Sequence, residues 1–187
     1  GIIIGVLIVL CISLWQQKNA EYEKWELLCQ SSAENALEDF VNYKVPSMFI
    51  ITSYCTFKCD KESGTKCCQN SSLAFQKNIH IRNEKIVERY ISNPISEAVV
   101  FGGLEPMDQF ADVIDIIKQL RINHHCNDDV VIYTGYYEKE CADEIKALKE
   151  FPNVVIKFGR FIPNHEKHYD EVLGVYLSSD NQYAKRI

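Results

Sequence analysis

Short apolar runs rich in β-branched and aromatic residues recur along this chain, at 48–52, 98–101, 130–134, 154–158 and 172–177. Between them lie stretches of helical period at 83–91, 107–121 and 138–151. In the second of these, Phe110, Val113, Ile114, Ile117 and Leu120 fall on one face. Strand alternating with helix implies an α/β fold with a largely parallel sheet and right-handed crossovers. The 187 residues suffice for one ordinary domain plus an appendage, and 47% apolar content argues against disorder. Ligands of such sheets sit at the carboxyl ends of the strands. The loop after residue 52, the pair Gly102-Gly103 and the pair Thr134-Gly135 all fall at such ends, so they can converge in space.

The chain opens on Gly1, followed by an uncharged run at 2–15 that ends at Gln16-Gln17-Lys18. A bilayer core needs about 20 apolar residues, so the run is short by itself. A truncated membrane anchor is the favoured reading, ahead of a buried helix of the domain. A signal peptide ranks last, because the run has no basic leader and no small-residue cleavage site. Residues 18–44 read as a polar, mostly helical connector with a weak stripe of Trp25, Leu28 and Cys29. Pro46 then marks the expected boundary between an N-terminal segment, 1–45, and the main domain, 46–187.

A net charge of −6, from 20 basic and 26 acidic residues without a basic stripe, excludes nucleic acid as an expected partner. Eight cysteines could staple a secreted protein, but five of them (Cys11, Cys29, Cys67, Cys126, Cys141) are dispersed. Reduced thiols in a cytoplasmic protein, tethered to a membrane if 2–15 is an anchor, fit better.

The remaining three cysteines carry the chemistry. Cys55-Thr-Phe-Lys-Cys59 follows an apolar run, and Cys68-Gln69-Asn70 lies nine residues further on. Three thiolates suit structural zinc or an iron–sulfur cluster. Zinc in a structural site wants a fourth ligand, for which Cys67 or His80 are candidates. A cluster held by three cysteines leaves one iron open. The second motif, Phe101-Gly102-Gly103-Leu104-Glu105-Pro106, closes a strand and opens a helix. Two glycines let a ligand approach the backbone, Glu105 could meet an ammonium group, and Pro106 suits a first helical turn.

Taken together, the three-cysteine loop and the Gly-Gly-x-Glu-Pro turn resemble the radical S-adenosylmethionine (SAM) enzymes. More narrowly, the chain resembles the activating proteins of anaerobic ribonucleotide reductase. Val131-Ile132-Tyr133-Thr134-Gly135-Tyr136 is similar to that family's Tyr-Thr-Gly-Tyr strand end, and Ser178-Ser179-Asp180-Asn181-Gln182 to its Gly-Ser-Ser-Asn-Gln segment. Phe158-Gly159-Arg160-Phe161 sits where the family often has Asp-Gly-Pro-Phe. The family norm is CxxxCxxC, so the longer gap before Cys68 is a departure, as is Phe158 in place of the aspartate. The usual Gly-Pro-Gly approach to the cysteine loop is also missing.

The resemblance implies an incomplete, TIM-like barrel. It implies that Cys55, Cys59 and Cys68 ligate a 4Fe–4S cluster, with Cys67 as the alternative third ligand. SAM would chelate the open iron, its amino end held near Gly102, Gly103, Glu105 and Pro106, with Thr134 also in its site. The implied partners are a glycyl radical enzyme, with anaerobic ribonucleotide reductase leading, and an electron donor such as flavodoxin or ferredoxin. Two other functions remain open: a non-catalytic zinc or iron–sulfur adaptor, and a radical SAM enzyme acting on a small molecule or peptide. His124-His125-Cys126, His165 and His168 read as solvated loop residues, and Cys141 as a small core residue. Tyr133, Tyr136 and Tyr137 read as packing, and Asp108 with Asp112 as a solvated helix face.

Overall fold

The structure, a computed structural model, describes residues 26–30, 38–39 and 41–187. The uncharged run 2–15 therefore lies outside the described residues. Among the described residues no helix is long and apolar enough to cross a membrane.

Four parallel strands form the centre of one sheet: β3 (Ser47–Thr52), β5 (Ala98–Gly103), β6 (Asp129–Tyr133) and β7 (Val154–Phe158). These are the runs whose composition announced them. Antiparallel strands extend both sides. β10 (Tyr183–Arg186) pairs with β7, while β1 (Glu26–Gln30) joins β3 to β4 (Asn78–Arg82). The order is β10-β7-β6-β5-β3-β1-β4, with the short β2 (Glu38–Asp39) also on β3. Among the described residues the sheet is thus open and mixed, and no pairing closes it into a barrel.

Two expectations are corrected. Residues 26–30 and 38–39, read as parts of a mostly helical connector, are strands β1 and β2: every residue from Glu26 to Gln30 is in register with β4, and Glu38 and Asp39 with Met48 and Ser47 of β3, which gives their backbones sheet partners. Residues 172–177, read as one strand, instead contribute the turn and second arm of a hairpin between β8 (His168–Asp170) and β9 (Val175–Leu177). Asp170 Oδ1 accepts from the amides of Val172 and Leu173 at 3.0 and 2.9 Å, and Gly174 takes φ +72°, so the chain turns there despite its β-branched residues.

A short helix that the period did not announce, α1 (Lys58–Ser63), lies in the cysteine loop; α2 (Asn83–Ser92), α3 (Phe110–Lys118) and α4 (Ala142–Leu148) fall where the period placed them, the last two with shorter cores. A 3-10 turn, Pro106–Gln109, precedes α3 and a wider turn, Gln119–Asn123, follows it. Ile86, Val87 and Tyr90 of α2, Val113, Ile116 and Ile117 of α3, and Ile145 and Leu148 of α4 all pack on one sheet face, against Met48, Ile50, Val99, Phe101, Val130, Ile132, Val154 and Ile156. Alternate residues of the same strands, Val100, Val131 and Val155, face the other way, toward Tyr43, Leu173 and Leu177. With α2, α3 and α4 on one side, the other face is left to loops and to a cavity.

Candidate functional site

That second face carries a cavity of about 500 Å³ at the carboxyl ends of the parallel strands. Cys55, Cys59 and Cys68 line it from the cysteine loop; Gly102, Gly103 and Glu105 line it from the end of β5, and Thr134 from the end of β6. Residues as far as 79 positions apart in the sequence, Cys55 and Thr134, therefore meet at one place, as the strand-end argument anticipates. Pro106 is buried and does not line the cavity. Neither Cys67 nor His80 lines it.

The cysteine loop is shaped by its own backbone. Phe57 sits at φ 52°, ψ 45°, which turns its amide onto Cys55 Sγ at 3.2 Å and starts α1. α1 ends at Gly64, whose φ of +69° suits a residue without a Cβ. Asp60 Oδ1 then accepts the amides of both Cys67 and Cys68 at 2.8 Å, folding the returning chain onto the helix. Those bonds hold the Asp60 carboxyl below its ordinary range. Burial pushes the Cys55 thiol up to about 11, against the opposing effect of the Phe57 amide. Burial, reinforced by the neighbouring Cys68, pushes Cys59 up to about 12. Burial thus favours the protonated form of Cys55 and Cys59, and a metal would have to displace those protons.

Struts fix the loop to the strand ends. The Ser53 amide donates to Gln109 Oε1 at 3.0 Å and the Thr56 amide to Asp108 Oδ2 at 3.0 Å. Tyr136 Oη donates a short bond to Asp108 Oδ1, and Lys58 Nζ lies 4.0 Å above the Tyr136 ring. Asp108 and Tyr136, read from sequence as a solvated face and as packing, instead position this loop. Asn70 Nδ2 donates to Gly103 O at 2.7 Å.

Glu105 is 4% exposed. Its Oε1 accepts from Thr134 Oγ1 at 2.7 Å and from the Met107 amide at 3.1 Å; Oε2 accepts from the Gly135 amide at 2.9 Å. Burial raises this carboxyl to about 7 although all three bonds pull it down. The two glycines answer to the protein's own packing. A Cβ on Gly102 would come within 2.6 Å of the Phe49 ring. Gly103 stands at φ +88°, with Ile51 Cγ2 2.6 Å from where a Cβ would be.

Two cavity cations escaped the sequence reading. Lys157 is buried on the strand face, its Nζ donating to Gly159 O at 2.8 Å, and burial lowers it to about 8. A lysine in the otherwise apolar run Val154–Phe158 was the available signal. Arg160, 4% exposed, pairs through Nη2 with Glu140 and, at 3.1 Å, with Glu62 of α1. Its Nε and Nη1 are buried without a partner among the described residues. That is a cost of roughly 1–3 kcal/mol per group unless a ligand supplies an acceptor.

The donor set fits an iron–sulfur cluster: three thiols of one loop face one cavity, with an amide already aimed at one sulfur. A family model described as a 4Fe-4S single cluster domain matches residues 46–183. No curated protein and no solved structure matches the chain.

Proposed function

Because the chain belongs to the 4Fe-4S single cluster domain family, we propose that it is a radical SAM activase that makes a glycyl radical on a partner enzyme, with anaerobic ribonucleotide reductase the leading candidate. One observation carries this reading: the thiols of Cys55, Cys59 and Cys68 share a cavity with Gly102, Gly103, Glu105 and Thr134. Three thiol ligands leave a cluster iron open beside strand ends able to hold a small polar molecule.

The family resemblance supplies the reaction. When bound, the reduced cluster would supply one electron to break the sulfonium C–S bond of SAM, giving methionine and a 5′-deoxyadenosyl radical that takes a hydrogen atom from a glycine Cα. A flavodoxin or ferredoxin would restore the electron. The chain's own residues hold and shield. The Phe57 amide stabilises thiolate character on Cys55. Asp60 closes the loop around the cavity, and Asp108 with Gln109 anchors it to the β5 end. The backbone at Gly102 and Gly103, kept clear of Cβ atoms, leaves room for the amino end of SAM, with Pro106 setting the turn behind it. The unpartnered Arg160 donors suit an anionic group in the same cavity. The sheet, with α2, α3 and α4 on one face and the cavity at the strand ends of the other, accords with a partial barrel whose substrate is another protein.

A second reading, a non-catalytic binding module, draws on the internal engagement of Glu105, whose carboxylate already has three donors. The test is anaerobic: reconstituted, reduced protein is mixed with SAM and the candidate reductase. A glycyl radical signal in electron paramagnetic resonance, with matching 5′-deoxyadenosine, is the expected result. SAM cleavage without a protein radical would move the substrate to a small molecule or peptide. A loaded cluster with no SAM cleavage would favour the module.

A further inference from the structure

Cys67 is left over by the cavity, yet it is not isolated. Its Sγ, the Sγ of Cys59 and a carboxylate oxygen of Asp60 all lie within 4.8 Å of one another. Cys59 thus has a thiol neighbour on each side: Cys68 within the cavity and Cys67 outside it.

We propose that Cys59, Asp60 and Cys67 form a second site, for a thiophilic divalent cation such as Zn²⁺, and that its occupation excludes the cluster. Two thiolates and a carboxylate are a usual zinc donor set, with Zn–S of about 2.3 Å and Zn–O of about 2.0–2.2 Å. Two sulfurs on one tetrahedral zinc lie roughly 3.8 Å apart by that geometry, so a spacing within 4.8 Å closes by small side-chain rotations. The carboxylate is already oriented. Asp60 Oδ1 is pinned by the amides of Cys67 and Cys68 and lies 3.9 Å from Cys59 Sγ. Such outer bonds are what fix a metal-ligating carboxylate. Ser63 Oγ, 3.2 Å from Cys67 Sγ, can donate to the thiolate once the metal has displaced its proton. All three ligands are half-buried, which leaves the fourth tetrahedral position to water.

Exclusion follows from the shared ligand. A Cys59 thiolate committed to zinc with Cys67 is withdrawn from Cys55 and Cys68. This part rests on Cys59 being a cluster ligand, whereas the cation site does not.

The experiment uses the full chain, reduced and free of cluster, titrated with Co²⁺ as the spectroscopic stand-in for Zn²⁺. A thiolate-to-cobalt charge-transfer band saturating at one Co²⁺ per chain, and displaced by Zn²⁺, is expected. Cys67→Ser and Asp60→Asn should each weaken binding at least ~10-fold, while Cys55→Ser and Cys68→Ser leave it unchanged. Asp60→Asn keeps an acceptor for the two amides, so it reports on ligation even if Cys67→Ser fails to fold. Absence of the band, or equal loss in Cys55→Ser or Cys68→Ser, would overturn the site. Zinc-loaded wild type should then take up iron and sulfide more slowly than Cys67→Ser given the same zinc. Equal uptake would overturn the exclusion. Failure of zinc-free wild type to assemble any cluster would instead count against Cys59 as a cluster ligand, and the cobalt result would stand apart from it.

Discussion

Thr134 Oγ1 donates to Glu105 Oε1 at 2.7 Å, a buried bond that ties the end of β6 to the turn after β5. The same carboxylate takes the Gly135 amide, so two strand ends are locked together at the floor of the cavity. The residues nearest the proposed ligand thus also hold the sheet, and changes there report on both.

This linkage gives a pH signature. The Glu105 carboxyl is raised to about 7 in the folded protein, from an ordinary 4.5. Its contribution to stability is fully present below about 4.5 and is lost as pH rises through 7. Relative to Glu105→Gln, the wild type should lose on the order of 3 kcal/mol between pH 4.5 and 8. Denaturant unfolding at a series of pH values checks this. Parallel curves for the two proteins would show that burial does not perturb Glu105.

Replacing the cysteines one at a time should separate them by place. Cys55→Ala, Cys59→Ala and Cys68→Ala should each abolish cluster assembly, and Cys67→Ala should retain it, as read by iron and sulfide content. Cys68 lines the cavity and Cys67 does not. Two harmless results at 67 and 68 would remove the three-cysteine assignment.

Gly103→Ala should destabilise the protein even with no ligand present. Its φ of +88° costs an L residue about 1–2 kcal/mol, and a Cβ would press Ile51 at 2.6 Å. A drop in unfolding midpoint in the ligand-free protein is the expected reading. Loss of SAM binding at unchanged stability would mean that the glycine serves the ligand alone.

Arg160 holds the Glu140 carboxyl down at about 2. Arg160→Met should raise the Glu140 carboxyl toward the ordinary range, with the Tyr137 amide and Lys58 still holding it down in part, and should free Glu62 on α1 from its partner. A carboxyl NMR titration of the variant measures the first effect directly. An unmoved Glu140 would mean that the pair does not form in solution.

Much of this was legible in the sequence because the central strands are buried on both faces and read as unbroken apolar runs. The cysteine loop and the Gly-Gly turn were placed together by the strand-end argument alone. The flanking strands were not legible: Asn78–Arg82 and Tyr183–Arg186 are short, largely polar and charged, and lie at the two ends of the sheet order, so only pairing reveals them. Glu26–Gln30 has helix-compatible spacing that sheet pairing overrides. Arg160 and Lys157 escaped because their burial depends on where β7 ends relative to α1, a long-range fact with no local signal beyond one lysine among apolar neighbours. That Cys68 lines the cavity and Cys67 does not is of the same kind, since it depends on the course of a loop that Asp60 sets.

The most direct test of the account is anaerobic reconstitution with iron and sulfide, then reduction with dithionite in the presence of SAM, assaying for 5′-deoxyadenosine without any partner. The account predicts product from the wild type and none from Cys55→Ala or Cys59→Ala. A fully loaded cluster that yields no 5′-deoxyadenosine would contradict it and leave a cluster-binding module in place of an enzyme.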